Sequence, residues 1–558
     1  MSLLLTSNVI GQSVVGTLHD LSVAGPGTIK AQSESEVCIF CHTPHASRPA
    51  SPLWNRNDPG SAYTLYSSST LEATPGQPDG SAVLCLSCHD GTIALGEIVS
   101  RTTDITFSGG VTVMPPSNRG NLTTDLSDDH PVSFTYTPAL ATSDGQLKTP
   151  ANIGVPVTLE NGKVQCISCH DPHDNINTKF LVASKEYSAL CFKCHDRDYW
   201  SSSTHSTSLS TWNGSGTDPW AHIENAFNNV SQNACANCHP SHTATGKSRL
   251  LKASTDEYNC LDCHNGNVAT TDIETQSLKT YSHNVFGYNN LHDPTEGAMI
   301  ATPHVECTDC HNPHATNNST ATAPLASGAL AGVQGIDLSG NPVSPIVNEY
   351  ELCFRCHSDN SVTSSYTARE LGSNNLRLDF ATTNVSHHAV VGPGNNPSPR
   401  GLINGYTASS QVYCTDCHAS DGDLSVPAGP HGSIYPRILK ANYNMDNNKY
   451  LSKAPTAAEL ATEFALCAQC HDMDVILNIH DMKQGHFLKY LSCNACHDPH
   501  GYPGGNTLNN SYLINLSTAV YSPGSYYELI SPGTGTCNIE CHNARDGIHH
   551  TIPNTRSY

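Results

Sequence analysis

The sequence predicts a mostly irregular, loop-rich fold with short helices and no conventional side-chain core. Three observations predict it. Aromatic residues make up 7% of the chain against 41 Gly and 34 Pro, a composition that favours turns over long regular elements. The 24 Cys fall in twelve close pairs, each followed at once by His. Spread over twelve pairs, 558 residues leave about 46 per pair, too few for each segment to bury a core of its own.

Eleven of the pairs read C-x-x-C-H: Cys38/Cys41/His42, Cys85/Cys88/His89, Cys166/Cys169/His170, Cys191/Cys194/His195, Cys235/Cys238/His239 and Cys260/Cys263/His264. Cys307/Cys310/His311, Cys353/Cys356/His357, Cys414/Cys417/His418, Cys467/Cys470/His471 and Cys493/Cys496/His497 complete them. The twelfth has one extra residue, Cys537/Cys541/His542. Two thiols at this spacing add to the two vinyl groups of one porphyrin, and the following His ligates the iron from below. A disulfide framework or a set of zinc sites would use paired Cys, but neither requires a His after every second Cys. The prediction is twelve covalent haems c, and a multihaem cytochrome c whose contiguous haem stack is the core.

The formal charge of -22, before haem propionates are added, and the lack of a basic stretch argue against a nucleic-acid partner. The opening MSLLLTSNVIGQSVVG has no charged n-region, long apolar h-region or A-x-A site, so it does not read as a signal peptide. Haem c attachment in bacteria takes place outside the cytoplasm. The numbered chain therefore reads as a mature, exported protein, extracellular or at the cell surface, with the periplasm as the alternative. No apolar run approaches the roughly 20 residues of a transmembrane helix.

The motifs alternate between two kinds. A first kind carries a second His three places on: His45, His173, His242, His314 and His500, each with an intervening proline (Pro44, Pro172, Pro240, Pro313, Pro499). A second kind lacks that His and usually follows an apolar residue. The Cys414 motif holds a first-kind position without the trailing His, and His431 is its nearest substitute. Six two-haem modules result, at 1–125, 126–200, 201–270, 271–365, 366–475 and 476–558. First cysteines within a module are 47, 25, 25, 46, 53 and 44 residues apart, so the chemistry repeats while the length does not.

Twelve of the 31 His are proximal, which leaves 19 for twelve sixth positions. A trailing His lies on the same side of its own haem and cannot cap the same iron. Proline should end the attachment helix and turn that His outward, toward a neighbouring haem. The remaining ligands are expected between modules. His130, His283 and His388 share a His-x-Val phrase ahead of a first-kind motif, and His304 rivals His283. His205 and His222 form one set and His480 and His486 another, each offering one ligand or two. His292 and His387 read as spare. His19 precedes the first haem and His549/His550 follow the last, where a His could serve the next subunit. Six Met recur at no fixed place, so bis-His, low-potential haems are expected.

The phrases GTLHDLS, CIFCHTPHAS, PLWNR and LCLSCHDGTIALG, with the recurrent CHDPH and LCFKCH, resemble the doubled-CxxCH multihaem cytochromes exported by metal-reducing bacteria. That class includes proteins that polymerise into extracellular filaments. The resemblance is strong from about residue 15 to 96 and motif-deep beyond. It implies His19 and His45 as distal ligands beside proximal His42 and His89. It also implies long-range conduction to an external acceptor such as a metal oxide or a redox partner protein, by a homopolymer assembled end to end. A soluble or outer-membrane-associated shuttle is the alternative. An oxidoreductase with an open haem is disfavoured, because no Lys replaces a proximal His and distal His are in surplus.

Overall fold

A computed structural model describes the chain except residues 1–12, 48–52, 301–303, 360–368, 370, 397–398, 423–425, 447–454, 480–491, 519–524, 532–533, 543–548 and 555–558, and side chains from 530 onward. Regular elements are short, as the Gly and Pro content dictates. The longest described helices are Gly80–His89 and Glu349–His357, and most others are one turn. Three two-stranded antiparallel ladders pair Phe134–Thr135 with Lys163–Val164, Tyr281–Ser282 with Gly432–Ser433, and Gly335–Ile336 with Pro342–Val343. A three-stranded antiparallel sheet joins Tyr526–Ser531, Thr534–His542 and His549–Asn554.

The chain forms two compact units. One comprises 1–259 with 289–295, the other 260–288 with 296–558. Among the described residues the buried apolar side chains of each unit fall into separate small clusters. In the first unit Ala31, Phe40, Leu95, Ile98, Ile105 and Phe107 form one small cluster, and Phe134, Tyr136, Ile153 and Val164 another. In the second, Tyr350, Phe354, Phe380, Val390 and Val391 form a cluster with Ala298 and Ile336, and Leu460, Phe464 and Met473 form a satellite. Each cluster has motif cysteines at its edge: Cys41 and Cys88, Cys194, Cys414, and Cys467 with Cys493. The apolar side chains thus line the attachment points instead of filling the interior, and the loop-rich expectation holds.

The PLWNR and LCLSCHDGTIALG phrases meet through Arg56. Its buried guanidinium donates to the carbonyls of Leu95 (2.9 Å), Ser87 (3.0 Å) and Ala94 (3.0 Å). Asn55 donates to Ile39 O at 2.6 Å and accepts from Ser100 N–H at 2.9 Å. Loop carbonyls that no helix or sheet satisfies are bonded instead by two adjacent side chains.

Candidate haem-attachment sites

In nine motifs the His N–H donates to the carbonyl of the first Cys, from 2.8 Å at His42 to 3.1 Å at His264. That single turn sets both thiols and the imidazole at fixed offsets. The expectation that proline ends the turn needs correction. In Cys166–Cys169 and Cys307–Cys310 the helix stops at the second Cys, and His170 and His311 are already extended at φ -123 and -128°. Pro172 and Pro313 come two residues later, after the chain has left the helix. The twelfth motif differs again, since Cys537, Cys541 and His542 lie in the strand Thr534–His542.

A second device orients the proximal imidazoles. Nδ1 donates to a backbone carbonyl: His170 to Lys179 (2.9 Å), His239 to Arg249 (2.8 Å), His311 to Ala329 (3.0 Å), His418 to Arg437 (2.8 Å) and His497 to Tyr512 (2.9 Å). The His42 ring bonds the Leu53 backbone in the same way, and His89 Nδ1 donates to Gly120 O at 2.6 Å. With Nδ1 committed, Nε2 is left as the ligand atom. Leu53, Lys179, Arg249, Arg437 and Tyr512 all have left-handed backbones, φ 57 to 66°. Four of these turns read TKFL, SRLL, PRIL and SYLI, with the second and third residues both left-handed. The sequence carried this signal as a short phrase after first-kind motifs, without any Gly or Asn to mark the turn.

Seven proximal rings face a second imidazole. The centroid separations are 6.1 Å for His19–His89 and His42–His173, and 6.4 Å for His130–His195, His170–His242 and His283–His357. His311–His431 stand at 6.2 Å and His418–His500 at 6.0 Å. Two metal–imidazole bonds of about 2.0–2.1 Å, with about 1.1 Å from nitrogen to ring centre on each side, require about 6.3 Å. The residues present therefore fit an iron held between each pair. Burial opposes protonation of His242, but hydrogen bonding to Asp129 raises its pKa; for most of the other rings burial dominates. It lowers His19, His195, His283, His431 and His471 to about 4 and His500 to about 3, which keeps them neutral, as ligation requires.

The pairs follow a register. His173 faces the first-kind His42 one module earlier, and His242 and His500 face His170 and His418 in the same way. His431 does so toward His311. Second-kind motifs take a His that lies upstream of the first-kind motif in their own module: His19, His130 and His283. His471 lies within electrostatic reach of His388. Of the rivals His283 and His304, it is His283 that faces His357. His222 is engaged through Nε2 with Ala236 O at 2.8 Å. His45 is exposed. His205 opens the one-turn helix Thr204–Thr207 and is half-buried. His314 follows its motif with its N–H bonded to Asn312. His480 and His486 lie outside the described residues, as do the side chains of Cys537, Cys541, His542, His549 and His550.

Neighbouring thiols trace the order of the motifs. Cys41 is within electrostatic reach of Cys88, and Cys169 of Cys194. Cys85 is hydrogen-bonded to Cys166, and Cys191 to Cys235. The second unit repeats the alternation: Cys310 with Cys356, Cys353 with Cys414, Cys417 with Cys470, and Cys467 with Cys493. In these pairs, second cysteines approach each other within modules and first cysteines between modules.

The backbone places Cys238, Cys263 and Cys496. Their N–H groups donate to the carbonyls of Cys235 (3.2 Å), Cys260 (3.1 Å) and Cys493 (3.2 Å), the same turn as in the other motifs. Their own carbonyls accept from Lys252 (2.9 Å), Ala269 (2.9 Å) and Asn515 (2.8 Å). All three are half-buried, and Cys238 Sγ lies 4.0 Å from the Asn259 carbonyl.

One ligand partner had no sequence signal. Asp129, 3% exposed, accepts from His242 Nδ1 at 3.0 Å.

Two family models match the chain. The doubled CXXCH motif covers residues 159–199, which span the Cys166 and Cys191 motifs. The model for domains II/IV of outer membrane cytochromes of the MtrC/MtrF type covers residues 227–388, from the Cys235 motif through the Cys353 motif. No curated protein matches the chain.

Proposed function

We infer that this chain, a multihaem c-type cytochrome of the doubled-CXXCH kind, carries twelve haems c and conducts electrons over long range outside the cell, as a polymer of identical copies. The observation that carries the reading is the set of seven facing imidazole pairs at 6.0 to 6.4 Å. Haem iron between two imidazoles supplies one-electron exchange without a change of ligands. The chain's own part is to hold each pair apart at a fixed distance, to bond Nδ1 so that Nε2 faces the metal, and to favour the neutral form of most of the rings by burial.

The twelve attachment sites are the 24 Cys named above with their twelve following His. The proposed sixth ligands are His19, His45, His130, His173, His205, His242, His283, His314, His388, His431, His480 and His500. The alternating thiol contacts support a single file of haems in motif order. His45 supports the polymer, because it is an exposed trailing His of the type that elsewhere faces a proximal ring in another module. Its proposed target is a haem of a second copy.

A pyridine haemochrome assay against protein mass should give twelve haems per chain, and the spectrum should be low-spin. Negative-stain microscopy should show filaments that His45→Ala reduces to single molecules with the haem content unchanged. Eleven or fewer haems would overturn the count, and native protein seen as isolated particles would overturn the polymer.

One observation favours a second reading. The match to outer membrane cytochromes over residues 227–388 fits a cell-surface protein that passes electrons directly to an extracellular acceptor such as a metal oxide. Isolated particles that reduce an insoluble oxide would support this reading.

A further inference from the structure

The helix Cys307–Cys310 begins with a capping box in which Glu306 and Asp309 bond each other's backbone N–H groups. The Asp309 Oδ2 end of that box measures 2.8 Å. The same box at Cys166–Cys169 is built from Gln165 and Ser168, two neutral residues. Capping therefore needs no charge. Yet here both positions are carboxylates, and both are buried, at 3 and 4% exposure.

A third carboxylate and an imidazole join them. His304 Nε2 lies 3.5 Å from Glu296 Oε2 and 3.8 Å from Glu306 Oε2. Ligand atoms of Glu296, His304 and Asp309 all fall within 4.8 Å of one another. Glu296 Oε2 is buried and makes no hydrogen bond among the described residues. Tyr288 stacks on the His304 ring at 4.7 Å, and Gln334 Nε2 holds the Glu296 carbonyl at 3.1 Å, so both residues are fixed in place. Arg355 Nη1 stands 3.7 Å from Asp309 Oδ1. Gathering three carboxylates in a desolvated place is costly unless positive charge balances them, and a bound cation does so directly.

We propose that Glu296, His304, Glu306 and Asp309 form a non-haem site for one divalent first-row metal ion. One imidazole with several carboxylates suits Mn²⁺, Fe²⁺ or Zn²⁺ better than a thiolate-seeking ion. Closing 3.5 and 3.8 Å to the roughly 3 Å between ligands of one ion of about 2.1 Å bond length needs only small side-chain shifts. The ion ties the segment around Glu296 and His304 to the turn that carries Cys307, Cys310 and His311.

The test uses the purified holo-protein, stripped with a chelator and desalted. Mn²⁺ is added at room temperature and followed by the loss of its free six-line paramagnetic resonance signal, then displaced with Zn²⁺. One tight Mn²⁺ site that Zn²⁺ empties is expected. Glu296→Gln should weaken it by at least about tenfold. Glu306→Gln with Asp309→Ser, which copies the Gln165/Ser168 box, should abolish it while haem content stays unchanged. Failure to bind Mn²⁺ or Zn²⁺, or equal binding by wild type and both variants, would overturn the site. Haem content measured on the same samples is independent of this outcome, so either result leaves the electron-transfer reading to its own test.

Discussion

The imidazoles of His42 and His173 lie 6.1 Å apart and 15° from parallel, each supplied by a different attachment segment. A trailing His is therefore a cross-tie, since the residue that follows one haem motif is placed by the fold over the haem of another.

Replacing His173 by Ala should convert the haem of Cys38/Cys41 alone from low to high spin. Paramagnetic resonance of the oxidised protein should gain one high-spin equivalent per chain. No high-spin signal would mean that some other residue caps that iron.

Asp129 bonds the outer nitrogen of His242 at 3.0 Å, which makes that ring a stronger electron donor to its metal. Asp129→Asn keeps the shape and removes the charge. One haem should rise in potential by about 50 mV, the one-electron equivalent of roughly 1 kcal/mol lost from a charge-assisted hydrogen bond. A redox titration resolved by spectroscopy would show one component moved and the rest in place.

The left-handed residue Lys179 (φ 63°) presents the carbonyl that orients His170. Asn tolerates this backbone and Val does not, while both lose the Lys179–Glu224 ion pair. Lys179→Val should therefore be less stable than Lys179→Asn by about 1–2 kcal/mol in guanidinium unfolding. Equal stability would remove the backbone from the explanation.

Asp125 is held down at about 2, chiefly by hydrogen bonding from Ser127 and then by Lys247, whose Nζ stands 3.0 Å away. The unfolded value is about 3.9. A depressed folded value means stability that is complete above about pH 4 and lost as pH falls toward 2. The gap in melting temperature between wild type and Asp125→Asn should be widest near neutrality and should close by about pH 2. A gap that grew on acidification would contradict the assignment.

What the sequence carried and what it did not divide along physical lines. Attachment chemistry is local, fixed by one turn of chain, so the cysteines and proximal His were legible from spacing alone. Which haem a trailing His faces depends on connections that range from 25 to 81 residues between successive first cysteines, and no local pattern encodes that register. His431 shows the difficulty: it stands in for the missing trailing His of the Cys414 motif, but from a GPHGS turn with a different spacing. Asp129 is adjacent to His130, which faces His195, yet its own side chain serves His242 far along the chain. Proline is the conspicuous candidate for ending the attachment turn, because its ring cannot continue a helix. The actual stop is the extended conformation of the His itself.

The register also sets a timetable. Second-kind motifs find their facing His upstream, as His89 finds His19 and His195 finds His130. First-kind motifs must wait for chain not yet delivered, as His170 waits for His242 and His311 for His431. A chain emerging from its N-terminus therefore always trails one half-finished iron, which the arrival of the next segment completes. On the proposed function, the pairs would close like a zip whose slider is the newest segment of chain.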